Sequence, residues 1–457
     1  MTHVHLVGIG GSGISSIARV LVEKGYEVSG SDQVLSSLAL ALEPAGVKVY
    51  EGHSASNIQG ADIVVQSSAI PDSNVEVVAA RELGIPVQKR AEFLNSLLKE
   101  YKCLAVAGSH GKTTTSSMLA WTLDQLGLQP GFILGGISKN LGTNARAGQG
   151  GFFVIEADEY DYMFLGLDPQ VILLTNVEYD HPDCFPTLAD YQSAFASFVR
   201  RLKPGGTLVT NVDHPGSRSM IKNLPAQTQA ITYGLNDDAM IRAIHLQVNQ
   251  FGGMTFSAVS KLNPELHAIV VLSVPGVHNV SNALGVLAVN YVLGNPFEKA
   301  ARALSSFSGT SRRFDIVGEL NGITFIDDYA HHPGKILATL AAARARFPHR
   351  RIIAVWQPHT FSRTRALESE FAASFHDADL VIVTDIFAAR EKPQDYSLEN
   401  LVKNINYVPA FHLNTLNEVS SFLVSNLIPG DVLIIMSAGD ANQINRDVMN
   451  QLKERKG

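Results

Sequence analysis

The sequence predicts an α/β protein of three domains, in which Rossmann-like domains at both ends flank a central P-loop-type domain with a mostly parallel sheet. Three observations lead to this prediction. The chain has 457 residues, enough for about three domains of ordinary size. Short apolar runs alternate with segments of helical periodicity, which is typical of parallel βαβ units. Two of the apolar runs lead into glycine-rich loops, as strands do in doubly wound sheets.

Composition and charge exclude several classes of protein. Apolar residues make up 46% of the chain and charged residues 17%, so the chain is not generally disordered. The 36 basic and 43 acidic residues give a net charge of −7, which argues against an extended nucleic-acid-binding surface but allows a local phosphate pocket. The two cysteines, Cys103 and Cys184, form neither a disulfide framework nor a CxxC metal site, which is typical of a reducing compartment.

No segment of the sequence has the pattern of an export signal or a bilayer span. The N-terminus lacks a basic segment followed by a long apolar one. The longest uncharged stretch, about residues 268–297, contains prolines and asparagines that favour a buried loop and helix over a transmembrane helix. We therefore expect a soluble, cytoplasmic protein without membrane or nucleic-acid partners.

The first domain is predicted over residues 1–98. A helix is predicted at residues 14–23, and strands are predicted at residues 4–7, 27–30, 47–50 and 63–66. Because strands and helices alternate, the expected result is a right-handed, doubly wound parallel sheet.

A glycine-rich turn follows the first of these strands. It contains Gly8, Gly10, Gly11, Ser12 and Gly13, and Asp32 follows at the end of the next predicted strand. Gly8 permits a tight turn, Gly10 lets the backbone approach a diphosphate, and Gly13 allows close packing of helix and strand. The helix presents its positive end to that anion, and Asp32 can bond a ribose or a base. The pattern predicts a site for a dinucleotide or a nucleotide sugar, with a tight turn that binds no ligand as the alternative.

The second domain, predicted over residues 99–310, carries a phosphate loop. Strands are predicted at residues 103–107, 152–155 and 171–174, and the loop reads AGSHGKTTT. Its backbone N–H groups can cradle phosphates, Lys112 can reach the β- and γ-oxygens, and Thr113 can bind Mg²⁺. The generic Walker pattern is incomplete, since Val106 stands where it requires glycine and the loop has Gly108 instead. The context predicts a P-loop-type ATPase domain, with a chance GKT as the alternative.

Acidic clusters follow two strands of this domain. Residues 156–161 (EADEYD) hold four carboxylates, and residues 176–181 (NVEYDH) end in a histidine. Mg²⁺ prefers carboxylate, hydroxyl and phosphate oxygens, and carboxylates this close repel one another unless a cation lies nearby. The clusters predict a magnesium site, with His181 as a candidate ligand of a second metal. A solvated acidic loop and a structural histidine are the alternatives.

The third domain is predicted over residues 311–457. Strands are predicted at residues 324–326, 351–355, 380–383 and 432–435. Its motifs are SRRFD, DDYAHHP and QPHTFSRTR, whose arginines suit recognition of phosphate and carboxylate. The adjacent His331 and His332 have no third soft ligand at a clear spacing, so zinc is not favoured.

Ten segments of the sequence together resemble the Mur ligase family. They are HLVGIGGSGIS, SSAI, KRAEFL, AGSHGKTTT, EADEYD, TNVEYDH, GVHNVSNALG, GTSRRFD, DDYAHHP and QPHTFSRTR. The resemblance implies a three-domain enzyme in which the first domain holds a uridine diphosphate, the second binds Mg-ATP and the third closes over both. Within the family the segments are most similar to ligases that join L-alanine to the lactyl carboxylate of UDP-N-acetylmuramate through an acyl phosphate, in peptidoglycan precursor synthesis. A monomer or homodimer is expected.

The resemblance also implies roles for individual residues. Those expected to bind ATP are Gly108, Ser109, His110, Gly111, Lys112, Thr113, Thr114, Asn279, Asn282, Arg313 and Asp327. Those expected to bind Mg²⁺ are Thr113, Glu156 and His181. Those expected to bind the nucleotide sugar are Gly8, Gly10, Gly11, Ser12, Gly13, Asp32, Ser67, Ser68, His359 and Arg363. Those expected to act in catalysis are Lys112, His181, Arg313, His331 and His359.

Three positions depart from the family pattern, and two other enzyme functions stay open. Thr360 replaces a common arginine, Tyr160 replaces a common serine and Ala330 replaces a common glycine. A recycling ligase that adds a murein tripeptide to the same nucleotide sugar shares most of the motifs, although QPHTFSRTR favours the alanine-adding type. An NAD-dependent oxidoreductase would explain the glycine turn but neither the GKTTT loop nor the acidic clusters. No residue is identified as the base that deprotonates the amine.

Overall fold

The computed structural model describes residues 1–389 and 391–455, and the named strands form three separate sheets. Each sheet, together with the helices that pack on it, is called a lobe: N-terminal, central or C-terminal. The sheets have five, ten and six strands, and most neighbouring strands are parallel. The predicted α/β fold class with three sheets is confirmed.

The N-terminal lobe is a parallel sheet of order β3-β2-β1-β4-β5. Its elements are β1 His3–Val7, α1 Ser12–Glu23, β2 Glu27–Asp32, α2 Ser37–Leu40, β3 Lys48–Glu51, β4 Ile63–Gln66, α3 Val75–Glu82, β5 Val87–Lys89 and α4 Arg90–Leu97, with 3-10 turns at Glu43–Ala45 and Ala55–Ile58. Helix α1 buries Ile14, Ile17 and Leu21, which recur at helical spacing and cover the sheet. Its first turn therefore lies at the carboxyl end of β1.

The central lobe is built on the largest sheet. Its elements are β6 Lys102–Ala107, α5 Lys112–Gln125, β7 Gly131–Ile133, β8 Ala145–Arg146, β9 Phe152–Glu156, β10 Val171–Leu174, α6 Leu188–Val199, β11 Thr207–Asn211, α7 Pro215–Ser219, β12 Gln229–Gly234, β13 Ile241–Val248, β14 Met254–Ser260, β15 His267–Val271, α8 Val277–Val292 and α9 Phe297–Ser305, with 3-10 turns at Tyr160–Gly166 and Met220–Asn223. The strand order is β15-β14-β13-β12-β11-β10-β6-β9-β7-β8, with antiparallel pairs toward both edges.

Both faces of the central sheet are covered, which explains why its middle strands are apolar throughout. On β6, Leu104 and Val106 join the core under α5 and α8, whereas Cys103 and Ala105 join the core under α6. The uncharged stretch at residues 268–297 comprises most of β15 and the whole of α8, whose middle turns are buried. Within the described residues, no helix is long and apolar enough to span a membrane.

The C-terminal lobe has strand order β16-β17-β21-β18-β19-β20, and only β16 runs antiparallel to its neighbour. Its elements are β16 Asp315–Leu320, β17 Ile323–Asp328, α10 Pro333–Arg346, β18 Ile352–Trp356, α11 Phe361–Ala366, α12 Glu368–Ala372, β19 Leu380–Val383, α13 Glu399–Asn404, β20 Ala410–His412, α14 Leu416–Asn426, β21 Val432–Met436 and α15 Gln443–Glu454. The Trp356 side chain is fully buried and stacks on Phe371. The chain's other tryptophan, Trp121, lies on α5 and donates its indole N–H to Ala303 O.

Specific contacts position the lobes around the central sheet. On one side, Asn144 Nδ2 donates to Ser16 Oγ at 2.8 Å, and Ala147 N donates to Glu23 Oε2 at 2.7 Å, so α1 is fixed against the central lobe. On the other side, the segment before β16 passes from the central lobe to the C-terminal lobe. There Lys139 Nζ pairs with Asp315 Oδ1 at 2.5 Å.

Candidate functional site

The glycine turn of the N-terminal lobe is a compact structure at the carboxyl end of β1. Gly8 has a φ of +89°, a backbone conformation that favours glycine. The N–H of Gly10 donates to Asp32 Oδ2 at 2.9 Å, which joins the turn to the end of β2. Ser67 lies against the turn, because a Cβ added to Gly8 would be 2.8 Å from Ser67 Cβ. The predicted sugar-nucleotide residues at positions 8–13, 32, 67 and 68 therefore lie at one edge of the N-terminal sheet.

The phosphate loop joins β6 to α5, as the sequence predicts. Gly108 and Gly111 have φ values of +139° and +82°, and a Cβ on Gly108 would overlap Thr175 Oγ1. The loop is held from the end of β10: Thr175 Oγ1 donates to His110 O at 2.6 Å, and His110 N donates to Asn176 Oδ1 at 2.9 Å. These bonds leave the backbone N–H groups at the start of α5 positioned to receive an anion. Thr114 lies in the first turn of that helix.

Helix α8 brings two predicted nucleotide residues to the loop. Asn282 lies beside Gly111, where an added Cβ would be 2.8 Å from Asn282 Oδ1. Asn282 Nδ2 donates to Asn279 Oδ1 at 3.1 Å, and Asn279 Nδ2 donates to Pro275 O at 2.7 Å. Both asparagines are buried, so the phosphate loop has a fixed amide wall on this side.

Lys112 forms a buried ion pair with Glu159. Its Nζ lies 2.5 Å from Glu159 Oε2 and also donates to Gly108 O at 2.7 Å. The other carboxylate oxygen of Glu159 accepts from Tyr191 OH at 3.2 Å. Burial raises the pKa of Glu159, but Lys112 and His181 outweigh it and hold the pKa at about 2. Burial likewise lowers the pKa of Lys112, but the carboxylates of Glu159 and its neighbours raise it above its ordinary value, so both partners are charged.

Thr113 and Glu156 form a pair of hard oxygen donors beside this ion pair. Glu156 Oε1 accepts from Thr113 Oγ1 at 3.0 Å, and Glu156 Oε2 accepts from Gly135 N at 2.7 Å. Burial raises the pKa of Glu156, so a cation at this carboxylate would be favoured. The two donors fit Mg²⁺ whose other ligands are phosphate oxygens and water. Among the residues the structure describes, no three His, Cys, Asp or Glu side chains group as a metal cluster.

His181 lies beside the Lys112–Glu159 ion pair. Its Nε2 is 3.6 Å from Glu159 Oε1 and 3.9 Å from Asp180 Oδ2. The ring also contacts the edge of Tyr160, at 5.2 Å between ring centroids. His181 Nδ1 also lies 3.5 Å from Arg363 Nη2, so the ring contacts Glu159, Asp180 and Arg363.

The C-terminal lobe contacts the central lobe through two arginines. Arg313 Nη2 donates to Thr113 Oγ1 at 3.4 Å, and its guanidinium lies over the Tyr329 ring at 4.7 Å. Arg363 Nη2 donates to Asp180 Oδ1 at 2.9 Å, and both side chains of this pair are almost fully buried. Burial raises the pKa of Asp180, but Arg363 and the neighbouring cations outweigh it and hold it well below its ordinary value. The two arginines therefore join the C-terminal lobe to the central lobe, Arg313 at the phosphate loop and Arg363 at the segment after β10.

Histidines line the same lobe interface. His331 Nδ1 lies 2.7 Å from Tyr329 O, and the His331 and His359 rings are 5.6 Å apart. Burial and the neighbouring cations hold the pKa of His331 well below its ordinary value, so the ring is neutral. His359 Nδ1 is 3.3 Å from Arg363 Nη1. His332 packs against His110 of the phosphate loop at 5.0 Å, and burial lowers its pKa to about 3.

The two aspartates at the end of β17 have different environments. Asp328 accepts from Phe314 N at 2.6 Å and Ala330 N at 2.8 Å, so it is a structural residue. Asp327 Oδ1 is buried and has no hydrogen-bond partner. Burial raises the pKa of Asp327 to about 6. An orphaned acceptor among Arg312 and Arg313 suits a hydroxyl donor of a nucleotide.

The departures from the family pattern have structural counterparts. Thr360 has a φ of +67° and caps α11, where its Oγ1 accepts from Arg363 N at 3.4 Å. Tyr160 OH donates to Asp183 Oδ2 at 2.9 Å and covers His181. Sequence reasoning placed Glu159 and Asp180 only within acidic clusters expected to bind Mg²⁺, and it assigned no role to Lys335. Glu159 and Asp180 stand in the quoted motifs EADEYD and TNVEYDH. Lys335 follows DDYAHHP, and no motif indicated a role for it.

Comparison with protein families covers most of the chain. Residues 3–102 match the model described as "Mur ligase family, catalytic domain", residues 106–290 match "Mur ligase middle domain" and residues 312–439 match "Mur ligase, glutamate ligase domain". The chain belongs to the Mur ligase family. The resemblance inferred from the ten motifs is confirmed.

Curated relatives extend the likeness over the full length. The chain is 40% identical over 445 residues to UDP-N-acetylmuramate–L-alanine ligase of Alkaliphilus metalliredigens, an alignment covering 96% of this chain and 95% of that protein. It is 44% identical over 437 residues to the ligase of the same name from Frankia casuarinae, covering 88% and 87%.

Solved structures of Mur ligases resemble the fold of this chain. UDP-N-acetylmuramate–alanine ligase MurC from Thermotoga maritima has a TM-score of 0.83 at 27% identity and covers all of both chains. A murein peptide ligase from Psychrobacter arcticus has a TM-score of 0.73 at 28% identity, with 99% of each chain covered. The alanine ligase and the murein peptide ligase therefore share this architecture.

Proposed function

We propose that the chain is an ATP-dependent ligase that joins L-alanine to the lactyl carboxylate of UDP-N-acetylmuramate and releases ADP and phosphate. The observation that carries the proposal is the contact of the phosphate loop with Arg313 of the third lobe, in a chain whose curated relatives at about 40% identity bear this activity in their names. The two smaller sheets are proposed as the substrate and closing domains, with boundaries at residues 1–98, 99–310 and 311–457. A cytoplasmic location follows from the use of ATP.

The N-terminal lobe is proposed to bind the uridine diphosphate. The glycine turn, which is bonded to Asp32, leads into the first turn of α1. The free N–H groups of that helix turn can bind the diphosphate. Gly10 leaves room for the backbone to approach that group. Ser67 and Ser68 lie beside the turn and can donate hydroxyls. The sugar and its lactyl carboxylate would then extend toward the phosphate loop.

The central lobe is proposed to bind ATP on residues 108–114. The loop N–H groups and Lys112 would bind the β- and γ-phosphates, and Asn279 and Asn282 would lie near the adenine. Mg²⁺ on Thr113 and Glu156, when bound, would screen the phosphate charge and act as a Lewis acid. Asp327 would accept a ribose hydroxyl.

In the first step, the lactyl carboxylate attacks the γ-phosphorus and displaces ADP, forming an acyl phosphate. Lys112 must exchange part of its Glu159 contact for a phosphoryl oxygen, and Arg313 approaches the same group from the other lobe. Both cations stabilise the charge that develops on the phosphoryl oxygens. The Arg363–Asp180 pair keeps the lobes together, which excludes water from the acyl phosphate.

In the second step, the amine of L-alanine attacks the acyl carbon, and the tetrahedral intermediate expels phosphate. His331 is proposed to accept the proton that the amine loses. Its Nδ1 faces Tyr329 O, so this nitrogen donates and Nε2 is left as the acceptor. The low pKa of His331 keeps that acceptor unprotonated, and the amine proton becomes strongly acidic as the C–N bond forms.

Release of phosphate from ATP tests the proposal. With UDP-N-acetylmuramate present, L-alanine should stimulate release more than the murein tripeptide does. Lys112→Ala should abolish the stimulated activity, whereas Lys99→Ala, which removes an exposed lysine outside the site, should retain it. Near-normal turnover of Lys112→Ala would contradict the phosphate-loop assignment. Faster turnover with the tripeptide would favour the recycling reaction instead.

A further inference from the structure

Lys335 is an interfacial lysine whose ammonium forms no hydrogen bond within the described residues. It lies in the first turn of α10, directly after the DDYAHHP motif, and its side chain is 19% exposed. Its nearest counter-ion atom is Asp180 Oδ2, at 4.0 Å, which exceeds hydrogen-bond distance. That oxygen also has no hydrogen-bond partner, although the Asp180 side chain is only 1% exposed. A half-buried ammonium and a buried carboxylate thus face each other without completing a hydrogen bond.

The other cations of this interface already have partners. Lys112 pairs with Glu159, and Arg363 holds the other oxygen of Asp180. Arg313 donates to the Thr113 hydroxyl. Lys335 adds a further positive charge to this group, and no additional carboxylate accompanies it. The interface therefore has more positively charged hydrogen-bond donors than its own acceptors satisfy.

A cation in this setting is unfavourable unless an anion joins it. Burial lowers the pKa of Lys335, Asp180 opposes the change, and Arg313, Lys112 and Arg363 add to it, with a net result of about 8. A half-buried ammonium that makes no hydrogen bond disfavours the closed lobes, so we expect the position to serve a ligand. A bound phosphoryl group would raise the pKa of Lys335 again and keep the ammonium protonated. This argues for anion binding rather than for a role as a base.

We propose that Lys335 binds an oxygen of the phosphoryl group that passes from ATP to the substrate carboxylate. The proposal rests on the proposed function and adds a specific contact to it. In that step the bond from the γ-phosphorus to the bridging oxygen breaks with its electron pair leaving on ADP, and a new P–O bond forms to the carboxylate. The non-bridging oxygens stay anionic throughout, and Lys335 keeps its proton. Because Lys335 belongs to the C-terminal lobe, it binds the phosphoryl group only when the lobes are closed.

Nucleotide binding tests this contact directly. Affinities for ADP and for the non-hydrolysable analogue AMPPNP are measured by calorimetry in the presence of UDP-N-acetylmuramate. Lys335→Met should weaken AMPPNP about ten- to a hundredfold, the loss of one charge-assisted hydrogen bond, and change ADP affinity by less than about threefold. Lys335→Arg should restore most of the AMPPNP affinity. Lys335→Gln serves as a second charge-removing variant if the methionine variant does not fold.

A matched control separates the contact from a general loosening of the interface. Lys139→Met removes another lysine that pairs across the same two lobes, with Asp315, and should change both affinities alike. An equal effect of Lys335→Met on ADP and AMPPNP, or a change confined to the KM of L-alanine, would overturn the proposal and leave the proposed function standing. Failure of the unmodified chain to bind either nucleotide would instead overturn the proposed function.

Discussion

The buried pair of Arg363 and Asp180 should control how much of the protein has its lobes closed. We consider Arg363→Met, which leaves the Asp180 carboxylate buried beside an apolar side chain. At 2.9 Å and an effective dielectric constant of about 20, the attraction that is lost is about 6 kcal/mol. Lys335 still faces the carboxylate at 4.0 Å, where the same estimate gives about 4 kcal/mol. Removing one partner of a buried pair costs about 3–5 kcal/mol in general, so we expect about 3 kcal/mol here, or about a hundredfold in the closed-to-open ratio.

The closed-to-open ratio can be measured without substrates, by single-molecule energy transfer between dyes on exposed positions of the central and C-terminal lobes. Arg365→Met is the matched control, because this exposed arginine of the same helix contacts Gln394 and Tyr396 within its own lobe. The double variant Asp180→Asn with Arg363→Met should recover part of the closed population, since the buried carboxylate charge is then removed, whereas Lys335 loses its nearest counter-ion. A shift below about threefold for Arg363→Met, or additive effects of the two substitutions, would refute the reasoning.

The pH dependence of closure follows from the same pair. The pKa of Asp180 is held well below its ordinary value of 3.8, so its contribution is present above that pH and is lost only as the pH falls toward the depressed pKa. The contribution of the Asp180–Arg363 pair to closure should therefore be constant across the neutral range. A titration of closure near neutral pH that Asp180→Asn abolishes would contradict this assignment.

Three further predictions concern the loop, an aspartate and a thiol. Gly108→Ala should abolish ATP-dependent turnover, because the added Cβ would overlap Thr175. Gly84→Ala is the control: this glycine has a φ of +70° and open space around it, so the variant should retain turnover. Equal activities of the two variants would contradict the loop geometry. The pKa of Asp327 is raised to about 6, so the folded protein binds this proton more tightly and its stability falls as the pH rises from about 4 to 6. The Tm of Asp327→Asn, relative to that of the unmodified protein, should therefore rise over that window. A constant difference in Tm would contradict the prediction. Burial raises the pKa of Cys103 to about 12, so iodoacetamide at pH 8 should label it only after denaturation, as mass spectrometry can check.

The strands that the sequence predicted best are those with buried, continuous apolar runs. The predictions at residues 171–174 and 380–383 coincide with β10 and β19, because both strands are covered on two faces and need no alternation of polar residues. The hairpin of β13 and β14 was not predicted. Its strands are half-exposed, and a bulge between Ile244 and Gln247, with His245 at a φ of +55°, breaks the period of two on which recognition depends.

The candidate site was predictable where its chemistry is local. Lys112 and Thr113 stand in one loop between one strand and one helix, so residue types and spacing were sufficient to propose their roles. The partners of these residues were less accessible. Glu159 meets Lys112 only after the central lobe has folded. Asp180 meets Arg363 only after the central and C-terminal lobes have docked. A lysine such as Lys335 has no signature in sequence, since its meaning depends on which charges surround it.

The positions of the two tryptophans allow the unfolding of individual lobes to be followed by fluorescence. Trp356 is sealed in the C-terminal core, whereas Trp121 is only partly covered on the central lobe, and the N-terminal lobe has neither. Emission should therefore report the loss of two lobes at different wavelengths and stay silent about the third. A chain with one indole replaced by phenylalanine would then assign each spectral transition to a single lobe.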